Sequence, residues 1–331
     1  MSIAVHAPIA NRKPGPLFPE VSLHRSGSPN LTALVVCPGK YQLIPVKRLA
    51  RTLSGLFGVK PSEGTIVDMA SRKAGGFREL DEHVRKALVR AQVVHMDETG
   101  IRVGGRLHWL HVACTCFLTH FRIGRGRDDI MLEALGIVVH DCWKSCFGMP
   151  HVAGHGICCV NILRELENLF QFGREKWAGD LAGLPDGAPL SPEAMGEIGD
   201  SYDRIAGEGL GYHASLKPLS SPGRRGRRRR RKGYNPLLRL RDHRDAVLLF
   251  TRNPPVPATN NIAELDLGME KVRQRISGCH RSMEEAINRT IIRTVPATAR
   301  KQGWNMLDTL RKSPPELKAS LVVDILVQAS G

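Results

Sequence analysis

Apolar positions along this chain run first at helical spacing, then in short continuous blocks, then at helical spacing again. From Tyr41 to Val59, Leu43, Val46, Leu49, Leu53 and Leu56 fall on one helical face. Ser62 is placed to cap a second helix carrying Ile66, Met69 and Ala70, and Phe77 to Ala91 predicts a third. The pattern then changes. Ala91 to Met96 is a buried-strand run that Asp97 ends. Gly104-Gly105 predicts a turn, followed by a strand over Leu107 to Cys114 and a partner over Phe117 to Ile123. Asp128 to Leu135 predicts a short helix, and Val138 to His140 a short strand that Asp141 ends. Strand, hairpin, helix, strand is the order of a mixed α/β sheet.

Downstream, helices are predicted over Asn161 to Phe172, Glu175 to Leu184, Pro192 to Gly207, Leu237 to Phe250, Asn261 to Ser277, Glu284 to Val295 and Gly303 to Leu310. Residues 1–40, rich in Pro, Ser and Gly and without a period, are expected to be poorly ordered. The expected organisation is then a helical lead-in over 41–90, a first core segment over 91–141, a helical stretch over 142–259, a second core segment over 260–312 and a tail over 313–331. The lead-in helices could contact DNA or pack on the sheet. Packing is favoured, because no base-reading pattern is legible in them.

Charge narrows the partner class. The chain has 331 residues and a formal net charge of +16, and much of that charge is concentrated in Arg224, Arg225 and Arg227, Arg228, Arg229, Arg230, Arg231, Lys232, inside a loop expected over 220–232. Such a tract attracts polyanions and points to nucleic acid. No aromatics interleave with it, so base stacking within the tract is not expected. No window has the length and apolarity of a membrane span, and Met1 to Leu23 lacks a signal-peptide core, so the cytoplasm is the default location and the cysteines are expected to be reduced.

Three acids carry the candidate chemistry. Asp97 and Asp141 each close an apolar strand run, and Glu264 lies at the start of a helix. Carboxylates in such settings can hold a pair of Mg²⁺ or Mn²⁺ ions, with Asp97 as the bridge because it would lie on the central strand. The alternative is ordinary capping and solvation of all three. Asn260 and Asn261 are expected to cap the Glu264 helix, on which Lys271, Arg273 and Arg275 could touch DNA or form a solvated face. Cys142, Cys146, His151, His155 and Cys158 match no common zinc spacing, and zinc is not expected. Trp109 and Trp143 are expected in the core.

The neighbouring motifs are specific. His95-Met96-Asp97-Glu98-Thr99-Gly100, Trp109-Leu110-His111-Val112-Ala113-Cys114-Thr115, Val139-His140-Asp141-Cys142-Trp143, Ile162-Leu163-Arg164-Glu165-Leu166, Asn260-Asn261-Ile262-Ala263-Glu264, Lys271 to Gly278 and Ala299 to Gly303 occur in order over roughly 41–312. They resemble the transposase of the insertion sequence 66 family. That resemblance implies a ribonuclease-H-like core split by a large helical insertion between the second and third catalytic acids. It also implies DNA cleavage and strand transfer, with Asp97, Asp141 and Glu264 as the catalytic, metal-holding acids. DNA is the implied partner, with a homo-oligomer and accessory proteins encoded by the element also considered. The sequence departs from the pattern at Leu265 and Gly268, where arginines are expected, and at Asn161, where a His is lost. Cysteine-rich and helical segments expected before the core are not recognisable. Residues expected before Val138 are missing, which would shift Asp141 relative to Asp97. The competing expectation is therefore a remnant that binds DNA and cleaves nothing.

Overall fold

The computed structural model describes residues 28–129, 132–182, 191–217, 219 and 230–322. Its centre is a five-stranded sheet of order β3-β2-β1-β4-β5, formed by β1 (Val93–Val103), β2 (Arg106–Cys114), β3 (Thr119–Gly124), β4 (Ile137–His140) and β5 (Gly154–Ile157). β1 runs antiparallel to β2, and β2 to β3; β4 is parallel to both β1 and β5. β1 and β2 are joined through Gly104 and Gly105, both at positive φ (56° and 79°). That two-residue turn matches the twist of a hairpin and suits glycine.

Helices cover the sheet. The lead-in contains α1 (Pro29–Val36), a π-helical turn over Cys37–Tyr41, α2 (Val46–Phe57) and α3 (Glu63–Val89). Residues 29–36 were expected to be poorly ordered. They are helical because Leu31, Ala33, Val35 and Val36 are buried in contact with neighbouring helices. The two expected helices after Ser62 are one. Ser62 caps it as expected, accepting from the Thr65 N–H. Gly75 and Gly76 do not interrupt it, since Ala74, Phe77, Leu80 and Val84 on either side bury one continuous stripe. That burial outweighs the roughly 1 kcal/mol each interior glycine costs.

A helical unit follows the sheet: α4 (Cys159–Gln171), α5 (Lys176–Ala182), α6 (Pro192–Ser215), α7 (Tyr234–Asp242), α8 (Arg244–Val247) and α9 (Leu249–Arg252). Its core joins Ile162, Leu166, Trp177, Tyr202, Leu237 and Leu240. The expected stretch over 142–259 is not wholly helical, because β5 lies within it. The short helix expected over 128–135 is absent among the described residues. There the Asp129 carboxylate accepts the N–H groups of Arg125 and Gly126 and so holds a turn.

The chain closes with α10 (Asn261–Ser277), α11 (Met283–Lys301), α12 (Met306–Arg311) and α13 (Pro314–Ser320). α11 continues past Val295 through Pro296, because it is buried over most of its length and hydrogen-bonded to the sheet edge. The Thr119 N–H of edge strand β3 donates to Thr298 Oγ1 at 3.2 Å, and Phe121 N–H to Thr294 Oγ1 at 3.4 Å. Side chains thus cover an edge that would otherwise be free to pair. The expected tail includes α13, which packs on α3 with Leu317 only 1% exposed. Among the described residues no helix is long and apolar enough to cross a membrane.

Candidate active site

The parallel pairing of β1 with β4 sets the site. Val93 pairs with Ile137, Val94 with Val138 and His95 with Val139. Asp97 and Asp141 each follow the last of these pairs by two residues, and the Asp141 charge acts on Asp97. Gly136 permits the close approach that fixes this register. A Cβ there would lie 2.1 Å from the Ala91 carbonyl oxygen, while Ile137 N–H donates to Gln92 O at 2.8 Å.

Asp97 does not end its strand. β1 continues to Val103 as a ribbon with β2, and Asp97 pairs with Val112. β4 does stop, at His140. Cys142 then takes a left-handed conformation at φ 68°, its N–H donating to His140 Nδ1 at 3.1 Å. A non-glycine residue held there is strained, and such strain collects at functional sites. Burial drives the pKa of His140 down to about 3, so this imidazole is neutral and free to accept that bond.

Side chains alternate along a strand, so Asp97 shares a face with His95, Ile101 and Val103. That face carries α10: Ile101 and Val103 pack with Ala263 and Leu267. Asn260 locks the start of α10 to β1. Its Nδ2 donates to Met96 O at 2.7 Å, and its Oδ1 lies 3.0 Å from His95 Nδ1. Asn260 was expected to cap the helix with its side chain. Instead that side chain bridges to the strand, one residue before Asp97. Glu264 lies one helical turn further on. Lys271, seven residues beyond Glu264, shares its side of the helix and is close enough to pull the Asp97 pKa down.

The Asp97 carboxyl is nevertheless pushed up to about 7, chiefly by burial, with the charges of Glu98 and Asp141 adding to the effect. It accepts a hydrogen bond from the Glu98 N–H at 2.8 Å. A half-buried carboxylate beside further acids suits a cation. Among the described residues, however, no three acidic, His or Cys side chains form a group able to hold a metal. Asp97 and Asp141 are brought together, and Glu264 does not complete a cage with them.

Arg127 is the main feature the sequence did not reveal. It donates to Glu98 Oε1 at 2.6 Å and approaches Asp141 Oδ2 at 3.9 Å. Its guanidinium lies 3.5 Å from the centroid of the Trp143 ring and 5.1 Å from that of Trp109. Both tryptophans, expected as core, instead sandwich this cation at half-buried positions, and Trp143 Nε1 donates to Asp128 Oδ1 at 3.0 Å. Nothing in the spacing of Arg127 from either acid marked it out.

The expected DNA contacts divide. Lys271 and Arg275 are exposed one turn apart on α10. Arg273, between them, is 6% exposed and paired with Glu270 at 3.2 Å, so it braces the helix and presents nothing to a phosphate backbone. Arg230, Arg231 and Lys232 lie in the segment leading into α7. Arg224, Arg225, Arg227, Arg228 and Arg229 lie outside the described residues. In the cysteine and histidine cluster, His140 Nε2 sits 3.3 Å from His155 Nδ1, and Phe147 stacks on His243 at 4.0 Å.

The model of the transposase IS66 family matches residues 25–288, a span containing all three candidate acids and most of the sheet and helices described above. By class the chain is a transposase, a nucleic-acid-processing enzyme. It belongs to the IS66 family. Among curated proteins, no relative matches the chain.

Proposed function

We propose that this protein cuts DNA at transposon ends and joins the freed 3′ end to target DNA, using a ribonuclease-H-like core into which the helical unit is inserted. The observation that carries this reading is Asp97: a half-buried carboxylate with a raised pKa, within reach of the Asp141 charge, on the sheet face that α10 covers. Asp97 and Asp141 would hold divalent cations, Mg²⁺ or Mn²⁺, and Glu264 would join them when α10 settles against bound DNA. Bound there, a metal pair supplies activation of the nucleophile and stabilisation of the leaving oxygen in an in-line displacement.

The remaining work falls to protein groups. Asp97 loses its proton as it takes up this role. Asn260 keeps the first turn of α10 against the strand that carries Asp97. Arg127 orients Asp141 through their charge contact while Glu98 holds its other side. Lys271 and Arg275 offer exposed cations to the phosphate backbone near the site, where they position DNA without reading its sequence. The basic tract at 224–232 adds a salt-sensitive contact.

The second reading is a remnant that binds DNA and cleaves nothing. It is favoured by the absence, among the described residues, of a three-ligand group, and by Leu265 beside Glu264. A nicking assay on end-bearing duplex DNA in Mg²⁺ or Mn²⁺ separates the two. The wild type is expected to nick and Asp97→Asn to lose at least a hundredfold in rate; equal, negligible nicking by both supports the remnant.

A further inference from the structure

We infer that the helical unit carries a binding cleft for unpaired DNA, built from aromatic side chains that the fold brings to the base of the basic tract. A cleft of about 940 Å³ opens between the end of α4, the end of α6 and the start of α7. Phe172, just beyond α4, is 81% exposed, and Tyr212 near the end of α6 is 50% exposed. Two exposed rings lining one cleft offer faces on which bases can stack. The tract itself contains no aromatics. Phe172 and Tyr212 come from elements distant in sequence, which is why its spacing revealed no stacking site.

The charges fix the partner's sign. Two carboxylates line the cleft, and both are already engaged. Glu165 pairs with Arg239. Glu175 accepts from Trp177 Nε1 at 2.8 Å and lies 3.0 Å from His213 Nε2. Arg231 and Lys232 lie at the same cleft, and Arg231 is held there by a 2.8 Å bond to Lys217 O. Cations beside exposed rings form the combination that binds single-stranded nucleic acid: the cations follow phosphates and the rings stack bases without regard to sequence. Duplex DNA keeps its bases stacked internally and cannot use the rings. Unpaired bases, such as those of a frayed DNA end, are the ones that can reach these rings. The inference rests on the proposed function only in taking DNA as the polyanion.

Equilibrium binding of fluorescently labelled oligothymidylate, measured by anisotropy on the full chain, tests it without any cleavage step. Phe172→Ala and Tyr212→Ala are each expected to weaken oligothymidylate binding about fivefold to tenfold and to change duplex affinity less than about twofold. Phe172→Tyr should keep the affinity. Both rings are exposed, so the variants should unfold at the wild-type temperature. Arg231→Ala combined with Lys232→Ala should weaken both DNA forms and flatten the dependence on salt. The inference is overturned if the aromatic variants bind oligothymidylate like wild type, or lose single-stranded and duplex affinity equally. Much tighter binding of oligouridylate of equal length would overturn the assignment to DNA.

Discussion

The sheet layer and the helical unit are held together in different ways. Beneath the sheet and its helices lie buried charges with several partners each. Glu270 meets Arg273, Arg289 and Arg293. Asp266 takes the Thr119 hydroxyl at 2.8 Å, Arg300 at 2.6 Å and Lys301 at 2.8 Å. The helical unit has an apolar centre, and most of its ion pairs, such as Arg204 with Glu208 and Arg244 with Asp203, stay substantially exposed. Apolar packing tolerates small shifts, whereas a buried charge tolerates only the geometry that pairs it. The rigid layer carries the candidate acids, where the spacing of oxygens decides whether a cation fits. The adaptable layer carries the cleft and leads from the basic tract, where flexible DNA can adjust.

The largest expected effect breaks this contrast at its strongest point. Burial by itself would raise the Glu270 pKa, but Arg289, Arg293 and Arg273 outweigh it and bring the pKa down to about 2. Glu270→Gln leaves three guanidinium groups crowded without their shared anion. Chemical denaturation should show a loss of about 3–5 kcal/mol. Glu165→Gln breaks the Glu165–Arg239 pair of the helical unit, whose carboxylate is 45% exposed, and should cost less than about 1 kcal/mol. Similar losses at the two positions would mean that the layers do not differ in this way.

Asp97 sharpens the contrast from the opposite side, because its charge opposes folding. Its usual pKa of 3.8 rises to about 7 in the fold. A carboxyl shifted upward binds its proton more tightly when folded. Stability from this group is therefore full below about pH 4 and is lost as pH climbs to 7. That rise converts to roughly 4 kcal/mol. Because Asp97 keeps some contact with solvent, about half of that is expected. Asp97→Asn should thus stabilise the apo protein by about 2 kcal/mol at pH 8 and by almost nothing at pH 4, read from denaturation midpoints. Millimolar Mn²⁺ should narrow the gap at pH 8 by stabilising only the wild type. A pH-independent difference would rule out a buried charge at Asp97.

Much of the acid-bearing core is legible in the sequence, since Val93-Val94 and Val138-Val139 are β-branched runs of a kind that buried strands favour. β5 is not legible. Gly154-His155-Gly156-Ile157 has no such run, and becomes a strand only because β4 offers it a parallel edge. Nor is the buried part of α10. Glu270 and Arg273 sit among charges that read as a solvated face, and only the packing of α11 turns them inward. The nearness of Asp97 and Asp141 could be expected from two acids that follow apolar strand runs. The continuation of β1 beyond Asp97 to Val103 could not, because Asp97 closes the apolar run. Arg127 was hidden because its partners, Glu98, Asp141, Trp109 and Trp143, converge from separate segments.

A more modest effect on stability bears most directly on function. Asn260 is 1% exposed, and its amide orientation is fixed by its bonds. Nδ2 must donate to Met96 O, so Oδ1 accepts, and His95 must carry its proton on Nδ1. Burial lowers the His95 pKa to about 4, so the ring is neutral and supplies this donor throughout the physiological range. Asn260→Ala strands the His95 donor and the bridge to Met96 O, at an expected cost of about 1–2 kcal/mol. Because this bridge ties the α10 start to β1 next to Asp97, the loss should be local. Amide hydrogen exchange in the first turn of α10 should quicken at least tenfold while α6 and α7 exchange as before. Nicking should fall further than stability alone accounts for, because Glu264 rides on the loosened turn. Uniformly faster exchange across both layers would mean that Asn260 is ordinary core and does not position the candidate site.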